Sequence, residues 1–598
     1  MREYSVPEVV SDPGPELNMA DAVYRNAEQA PQTAVFSRRT HDGWQPVSAL
    51  RFAEEVSELA AGLIATGLEP GDRIALMSRT RYEWTLLDYA IWAAGGVTVP
   101  IYETSSSEQI HWILSDSGAK AAFLETPEHQ EVFEKVAPEL PDVSHYWLIE
   151  NDGLAPLRAA GSAVDAGTLT ARRRSRGASD VATIVYTSGT TGRPKGCELT
   201  HLNMWGTAAS AATVLPQLFN ATGSTLLFLP LAHVFGRLIQ GACVENRVRM
   251  GHTHDIKNLL GDFAVFEPTF ILSVPRVFEK VYNTAKQRAH ADGKGAIFDR
   301  AENAAVAYST SLAGRGPGVL VKIEHALFDR LVYRKLRAAL GGQVAFAVSG
   351  GAPLGDRLGH FFRGIGITVL EGYGLTETTA AGTVNTVDHL KIGTVGRPSP
   401  GCTVKIAESD GEVLMRGRHV FAGYWRNEQS SGEVLVEDWF HTGDVGELDD
   451  EGFLKITGRK KELLVTAGGK NVAPAPMEDQ IRAHPLISQA MVIGDNKPFI
   501  AALLTIDSDA LGPWRTAHGK PENATASDLV DDADLRAELQ GAIDMANNSV
   551  SKAESIRTFT ILPEDFSEAN GTLTPSLKVK RNVVMQNYSG AVNEIYKS

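Results

Sequence analysis

The sequence predicts an α/β protein, with a large N-terminal domain of layered sheets and flanking helices followed by a small α+β domain. Three observations carry that expectation. Helical periodicity alternates with short β-branched runs through the first part of the chain, which implies sheets covered by helices on their faces. Several of those runs open into glycine-rich loops, the arrangement in which parallel sheets hold ligands outside the carboxyl ends of their strands. The segment Gly458-Arg459-Lys460-Lys461-Glu462 then marks a boundary of glycine and charge. At 598 residues and 43% hydrophobic content the chain is long enough for several domains and ordinary for a globular protein.

In order along the chain, Phe52 to Thr66 carries apolar residues at helical spacing and ends at Gly67, and Pro70-Gly71-Asp72 turns into a strand over Arg73 to Met77. Trp84 to Ala94 is expected as a helix and Val97 to Ile101 as a strand. Arg172, Arg173, Arg174 and Arg176 read as a solvated basic linker, with attraction of an anionic lipid or a nucleotide tail as the alternative. Val181 to Val185 is a buried strand that opens into Tyr186-Thr187-Ser188-Gly189-Thr190-Thr191-Gly192-Arg193-Pro194-Lys195-Gly196. That loop suits a phosphate: glycines bring backbone N–H groups close to an anion, hydroxyls add donors and Lys195 adds a full charge. It is not a Walker loop, because no Gly-Lys-Ser/Thr closes it.

His233 stands beside aromatics in Phe228-Leu229-Pro230-Leu231-Ala232-His233-Val234-Phe235, placed either to meet an acid's carboxylate, to gate its tunnel, or as a core histidine. Residues near Trp205 and the Val234-Phe235 segment are candidates for tunnel walls and equally for the core. From Ser273-Val274-Pro275-Arg276 a helical region runs to about Leu340. Within it, Val321 to Leu340 is amphipathic and is expected to seat its apolar face on the domain core, a membrane-surface helix being the alternative. Strands over Val344 to Val348 and Ile367 to Leu370 lead into Gly350-Gly351 and Gly372-Tyr373-Gly374-Leu375-Thr376-Glu377, where glycines and Tyr373 can border a flat base and Glu377 can ligate Mg²⁺. Asp444, after Thr442-Gly443, can accept from two ribose hydroxyls, and Arg459 can reach a nucleotide. Beyond the boundary, strands are expected over Leu463 to Thr466, Met491 to Ile493 and Ile500 to Ile506, a helix opening at Pro476, another from Asp534 to Lys552, and a basic turn, Asn570 to Arg581.

The net charge of −15 argues against general nucleic-acid binding. Cys197, Cys243 and Cys402 are too widely spaced for a disulfide framework or a zinc site. No signal-peptide core follows Met1, and no long apolar run escapes charges or glycines, so a cytoplasmic protein is expected, with peripheral contact at the inner face of a membrane left open.

Taken in order, these segments resemble the motifs of the acyl-adenylate-forming (AMP-binding) superfamily, which includes acyl-CoA synthetases, peptide-synthetase adenylation domains and luciferases. The ordered set covers residues 20 to 585. Pro230-Leu231-Ala232-His233, Pro275-Arg276-Val277-Phe278, Gly469-Lys470-Asn471-Val472 and Leu573-Thr574-Pro575 are most similar to the long-chain fatty-acyl-CoA synthetase branch. The resemblance implies a two-step ligation using ATP, Mg²⁺ and coenzyme A: a long-chain fatty acid is adenylated, then the acyl group passes to the thiol. It further implies that Thr187, Ser188, Gly189, Thr190, Thr191, Gly192 and Lys195 cradle phosphates, and that Gly350, Gly351, Gly372, Tyr373, Gly374 and Thr376 surround the nucleotide. Glu377 and Thr187 hold magnesium, Asp444 grips the ribose and Arg459 supports the nucleotide, while Lys578, Lys195 and His233 serve catalysis. The implied organisation is a domain over 1–458, a hinge over 459–462 centred on Lys461, and a mobile lid over 463–598 whose Gly468 and Gly469 form a coenzyme A tunnel. Many relatives place Gly before the catalytic lysine; here Leu577 stands there, which leaves Lys580 as the alternative. A fatty-acyl-AMP ligase serving a carrier protein, a ligase for another carboxylic acid, and a lipid-sensing nucleotide binder without turnover are the competing readings. Monomer and homodimer stay equally open.

Overall fold

The computed structural model describes residues 2–597 except Asp42, 188–192, 468–469, Ala553 and 575–577. A seven-stranded sheet orders its strands Gly423–Tyr424, Lys195–Thr200, Val181–Thr187, Val97–Ile101, Arg73–Met77, Ala121–Leu124 and His145–Leu148. Its central strands run parallel, and Val97–Ile101 is buried at every position, as β-branched strands covered on both faces should be. A second sheet sets Phe270–Ser273, Phe346–Ser349 and Thr368–Tyr373 side by side and parallel, with Ser349 level with Glu371. The Gly350 and Gly374 loops therefore leave the same sheet edge. An antiparallel sheet built on Glu412–Arg416, Trp439–Leu448 and Leu454–Arg459 closes the large domain.

The buried core of the large domain reaches Leu454, and a separate one begins at Leu464. In the small domain, Ile487–Ile493 and Ile500–Ile506 are buried throughout because helices cover both faces. Val492, Ala502 and Leu504 meet the helices Ala475–Arg482 and Ala533–Asn547, while Met491, Ala501 and Leu503 meet Val584, Val592 and Ile595.

One buried ion pair ties the large domain together. The helix Tyr82–Ala93 is buried on all sides, and its Asp88 takes both hydrogen bonds from Arg237 Nη2, at 2.6 and 2.8 Å. Arg237 Nη1 donates to Thr183 Oγ1 on the central strand, and its guanidinium lies between the Trp84 and Trp92 rings, at 5.3 and 5.4 Å. Gln240 Nε2 adds a third bond to Asp88.

Several sequence expectations change. Residues 172–176 are no solvated linker: the helix Ala166–Arg174 carries Arg172 onto Glu69, Arg173 onto Asp21 and the Tyr24 ring, and Arg176 then pairs with Asp180. The strand from Val181 continues to Thr187, and Lys195 begins the next strand, antiparallel and directly opposite Thr187. The helix expected to reach Lys552 stops at Asn547, whose side chain bonds both the N–H and the C=O of Ile556 and thereby competes with the helix. The region from Val321 does not bury its apolar stripe; Phe328 and Tyr333 face inward, but five apolar side chains between Val319 and Leu331 face water.

Removing one partner of a buried pair strands the other charge, so Asp88→Ala is expected to destabilise the protein by about 3–5 kcal/mol. The urea-unfolding midpoint checks this, with Asp88→Leu/Arg237→Leu expected to lose less than the single change.

Candidate active site

A cleft of about 1410 Å³ lies between the two domains. Thr187, Lys195, His233, Gly350, Gly351, Gly372, Gly374, Thr376, Glu377, Asp444, Arg459 and Lys461 line it from the large domain and the boundary, and Lys578 and Lys580 from the small one. Ser188, Gly189, Thr190, Thr191, Gly192, Gly468 and Gly469 lie outside the described residues, as does Leu577.

Asp444 and Arg459 are opposite each other on paired strands, and Arg459 Nε meets Asp444 Oδ1 at 2.9 Å. Half-buried Tyr373 stands between Gly372 and Gly374 of the cleft lining, and its hydroxyl donates to Asp444 Oδ2 at 2.5 Å. Burial and that carboxylate push its phenol well above the ordinary value. Each Asp444 oxygen keeps a second lone pair for another donor. Gly374 is required where it stands, since a Cβ there would lie 2.4 Å from the Ala380 carbonyl. Past it, Glu377 sits on the short turn Thr376–Thr378, held by Phe421 N donating to its backbone carbonyl at 2.8 Å.

Tyr424 escaped sequence reasoning. Its hydroxyl donates to Glu377 Oε1 at 2.8 Å, while Lys195 Nζ lies 5.1 Å from its ring and donates to Ser430 Oγ at 2.9 Å. No sequence signal marked it: it is brought there by its strand, Gly423–Tyr424, which pairs with the strand of Lys195.

His233 caps the helix Val234–Glu245, with Nδ1 accepting from Phe235 N at 3.1 Å. That bond assigns the ring proton to Nε2. Burial and the nearby Lys578 lower the imidazole to about 4, so it is a neutral donor at physiological pH. Beyond it the cleft branches between this helix and His201–Val214, lined by Val234, Phe235, Ile239 and the small Gly206, Ser210 and Ala211. Of the two roles open to the residues near Trp205, Trp205 itself takes the core one, while its neighbours Gly206 and Thr207 line the cleft.

Lys578 is held by a tight reversal in which Thr574 N donates to Lys578 O at 2.8 Å, Lys578 N donates to Thr574 Oγ1 at 3.0 Å, and Leu573 bridges Val579. Its side chain stays open to water through the cleft yet is surrounded by protein there. Lost hydration and Arg459 lower its ammonium's pKa, against the pull of Asp444, Glu377 and Glu462. The small domain is held in this position by Arg276, whose Nη2 donates to Ser488 Oγ at 3.2 Å and lies 3.5 Å from Asp507. Lys460 is tied to Asp410 and Glu412 at 2.7 and 2.9 Å, and Lys461 follows it on a single turn between the two cores.

The chain matches the family described as AMP-binding enzyme over residues 23–425 and AMP-binding enzyme C-terminal domain over 461–598. It is 51% identical to the long-chain-fatty-acid–CoA ligase FadD15 of Mycobacterium tuberculosis, over 100% of both chains. It is 31% identical to the peroxisomal long chain acyl-CoA synthetase 7 of Arabidopsis thaliana, over 91% of this chain and 80% of that one. Among solved structures, ATP-bound MatB from Rhodopseudomonas palustris superposes with a TM-score of 0.71 at 23% identity, covering 97% of this chain and 100% of that one. A Mycobacterium tuberculosis fatty acyl CoA synthetase does so at 0.61 and 22%, covering 96% and 99%. These two likenesses show the fold.

Glu371, on the strand leading to Gly374, accepts from Leu354 N at 2.9 Å and is pushed up to about 7 by burial, with Asp356 and the small domain's Asp479 adding to it. A carboxyl raised in the native state stabilises it most below the ordinary carboxylate range and loses that contribution as pH rises through 7. Glu371→Gln keeps an acceptor for Leu354 N, so its melting temperature is expected to fall less than the parent's between mildly acidic and mildly alkaline buffer.

Proposed function

Because the chain belongs to the AMP-binding enzyme family, we infer that it is a long-chain fatty-acid–CoA ligase, forming acyl-CoA, AMP and pyrophosphate from a fatty acid, ATP and coenzyme A. The observation that carries this reading is a single cleft where Lys578 of the small domain meets Glu377, Asp444 and Arg459, with an apolar branch leading away past His233. The branch takes the acyl chain, which leaves the carboxylate at its mouth.

In the first step a carboxylate oxygen bonds to the α-phosphorus of ATP as the bond to the β-phosphate breaks, releasing pyrophosphate. Two anions must approach, so positive charge has to be in place beforehand, and each preorganised donor is worth about 3–4 kcal/mol to the transition state. Lys578 bridges carboxylate and α-phosphate, Lys195 and the loop from Thr187 take the outer phosphates, and neutral His233 donates from Nε2 to the acid. Asp444 accepts from the ribose hydroxyls, oriented by Tyr373 and Arg459. Gly350, Gly351, Gly372, Gly374 and Thr376 border the nucleotide. The Glu377 carboxylate and the Thr187 hydroxyl would hold a magnesium ion brought as the ATP complex, and the ion would neutralise phosphate charge there. In the second step the coenzyme A sulfur attacks the acyl carbonyl carbon and AMP leaves. The same cation is then in the thiol's way, so the small domain turns about Lys461 and replaces Lys578 with the loop containing Gly468 and Gly469. Among the described residues no helix is long and apolar enough to cross a membrane; peripheral contact with one fits a substrate that partitions into lipid.

Incubation with palmitate, ATP and coenzyme A is expected to yield palmitoyl-CoA; accumulation of acyl-AMP with no thioester would sink the reading in favour of a carrier-protein ligase. Lys578→Ala is expected to lose at least about a hundredfold in acid-dependent adenylate formation, while thioester formation from supplied acyl-adenylate stays near the parent's. Lys461→Pro is expected to do the reverse, leaving pyrophosphate release in the first turnover intact and stalling acyl-CoA formation.

A further inference from the structure

We propose that the outward face of the helix Val319–Phe328 and of the turn that follows it docks on an anionic lipid bilayer. Val319, Leu320, Ile323, Leu327 and Leu331 are exposed by 74, 82, 62, 55 and 49%. Apart from Leu320, they recur every fourth residue, which keeps them on one helix face. A row at that spacing drifts around an α-helix, but the wider π turn over Asp329–Tyr333 holds more residues per turn and swings Leu331 back into line. The orientation is imposed from the other side. His325 Nε2 lies 2.6 Å from Gly364 O, its ring stacks on Tyr308 at 3.9 Å, and the buried Tyr333 donates to Ala301 O at 2.7 Å. Rolling the apolar row inward would break all three contacts.

A contiguous exposed apolar row of this kind marks an interaction surface, and its charge says with what. Along the chain the row is flanked by Arg315, Lys322, Arg330, Arg334, Lys335 and Arg337 against Glu324 and Asp329. Asp329 pairs with Arg334 and Arg337 at 3.1 and 2.7 Å and Glu324 lies 3.7 Å from Arg300, which leaves Arg315, Lys322, Arg330 and Lys335 outside those pairs. The chain as a whole carries −15. A basic, apolar strip on an acidic protein attracts anionic headgroups while the remaining surface is repelled, which orients the molecule on the bilayer. A second copy of this chain, equally acidic, is the less favoured occupant. The proposal rests on the long-chain acid reading for its purpose, drawing substrate from the lipid in which it dissolves, but its test does not.

Full-length protein is mixed, without ATP, acid or coenzyme A, with phosphatidylcholine vesicles containing or lacking phosphatidylglycerol, and the sedimented fraction is measured. Binding is expected only to the anionic vesicles, weakening with salt, and about tenfold or more weaker for Leu320→Glu/Ile323→Glu/Leu327→Glu. The same triple variant should keep the parent's urea midpoint and its turnover of a short, water-soluble acid. Absence of parent binding, or a triple variant that binds as well as the parent, overturns the proposal. So does a parent that is dimeric in solution and made monomeric by the three changes, which would assign the face to self-association.

Discussion

The geometry of the cleft depends on a charge pair nowhere near water. Arg237 is fully buried and bonded at once to a helix, through Asp88, and to the central strand, through Thr183. A guanidinium buried this way is costly to disturb, because losing the Asp88 carboxylate would leave its desolvated charge uncompensated. The helix that carries Arg237 begins at His233, and the strand that carries Thr183 ends at the phosphate-type loop. One interaction thus sets the distance between the mouth of the apolar branch and the start of that loop. Such pairs are weak sources of net stability, and their value lies in admitting a single register.

The groups around the cleft come from two separately packed parts of the chain. Asp444, Arg459, Tyr373 and Glu377 stand on strands or on a turn pinned by backbone bonds. Lys578 belongs to a domain with its own core, joined by one turn and held at the interface by Arg276. The cation that the small domain brings to the cleft therefore stands beyond that one turn, on a separate core. That division suits a reaction whose two steps want different groups at one point, since a few half-exposed polar contacts cost little to exchange.

Much of this was legible in the residues. Arg73–Met77, Val97–Ile101 and Ile500–Ile506 read as strands and are strands at those bounds, because apolar runs of this length are too short for a helix and fit a buried strand. The glycine loops at 350 and 374 were placed at one sheet edge by the rule for parallel strands, and they lie there. Tyr424 was not legible: its contacts are with Glu377 and Lys195, 47 and more than 200 positions away, and no local spacing encodes such a meeting. The arginines at 172–176 misled for the same reason, since their partners Glu69 and Asp21 lie in distant segments.

By itself, the sequence determined the fold class, the order of the motifs and the residue types available for binding an acid and a nucleotide, all of which follow from local pattern and short-range spacing. Tertiary structure alone decided which of those residues share a cleft, that the Tyr373 hydroxyl meets Asp444, and that the apolar row from Val319 faces outward. An amphipathic stripe specifies that a helix has two faces. Which face meets the core depends on the whole set of contacts made by the opposite side, and here His325 and Tyr333 made that choice.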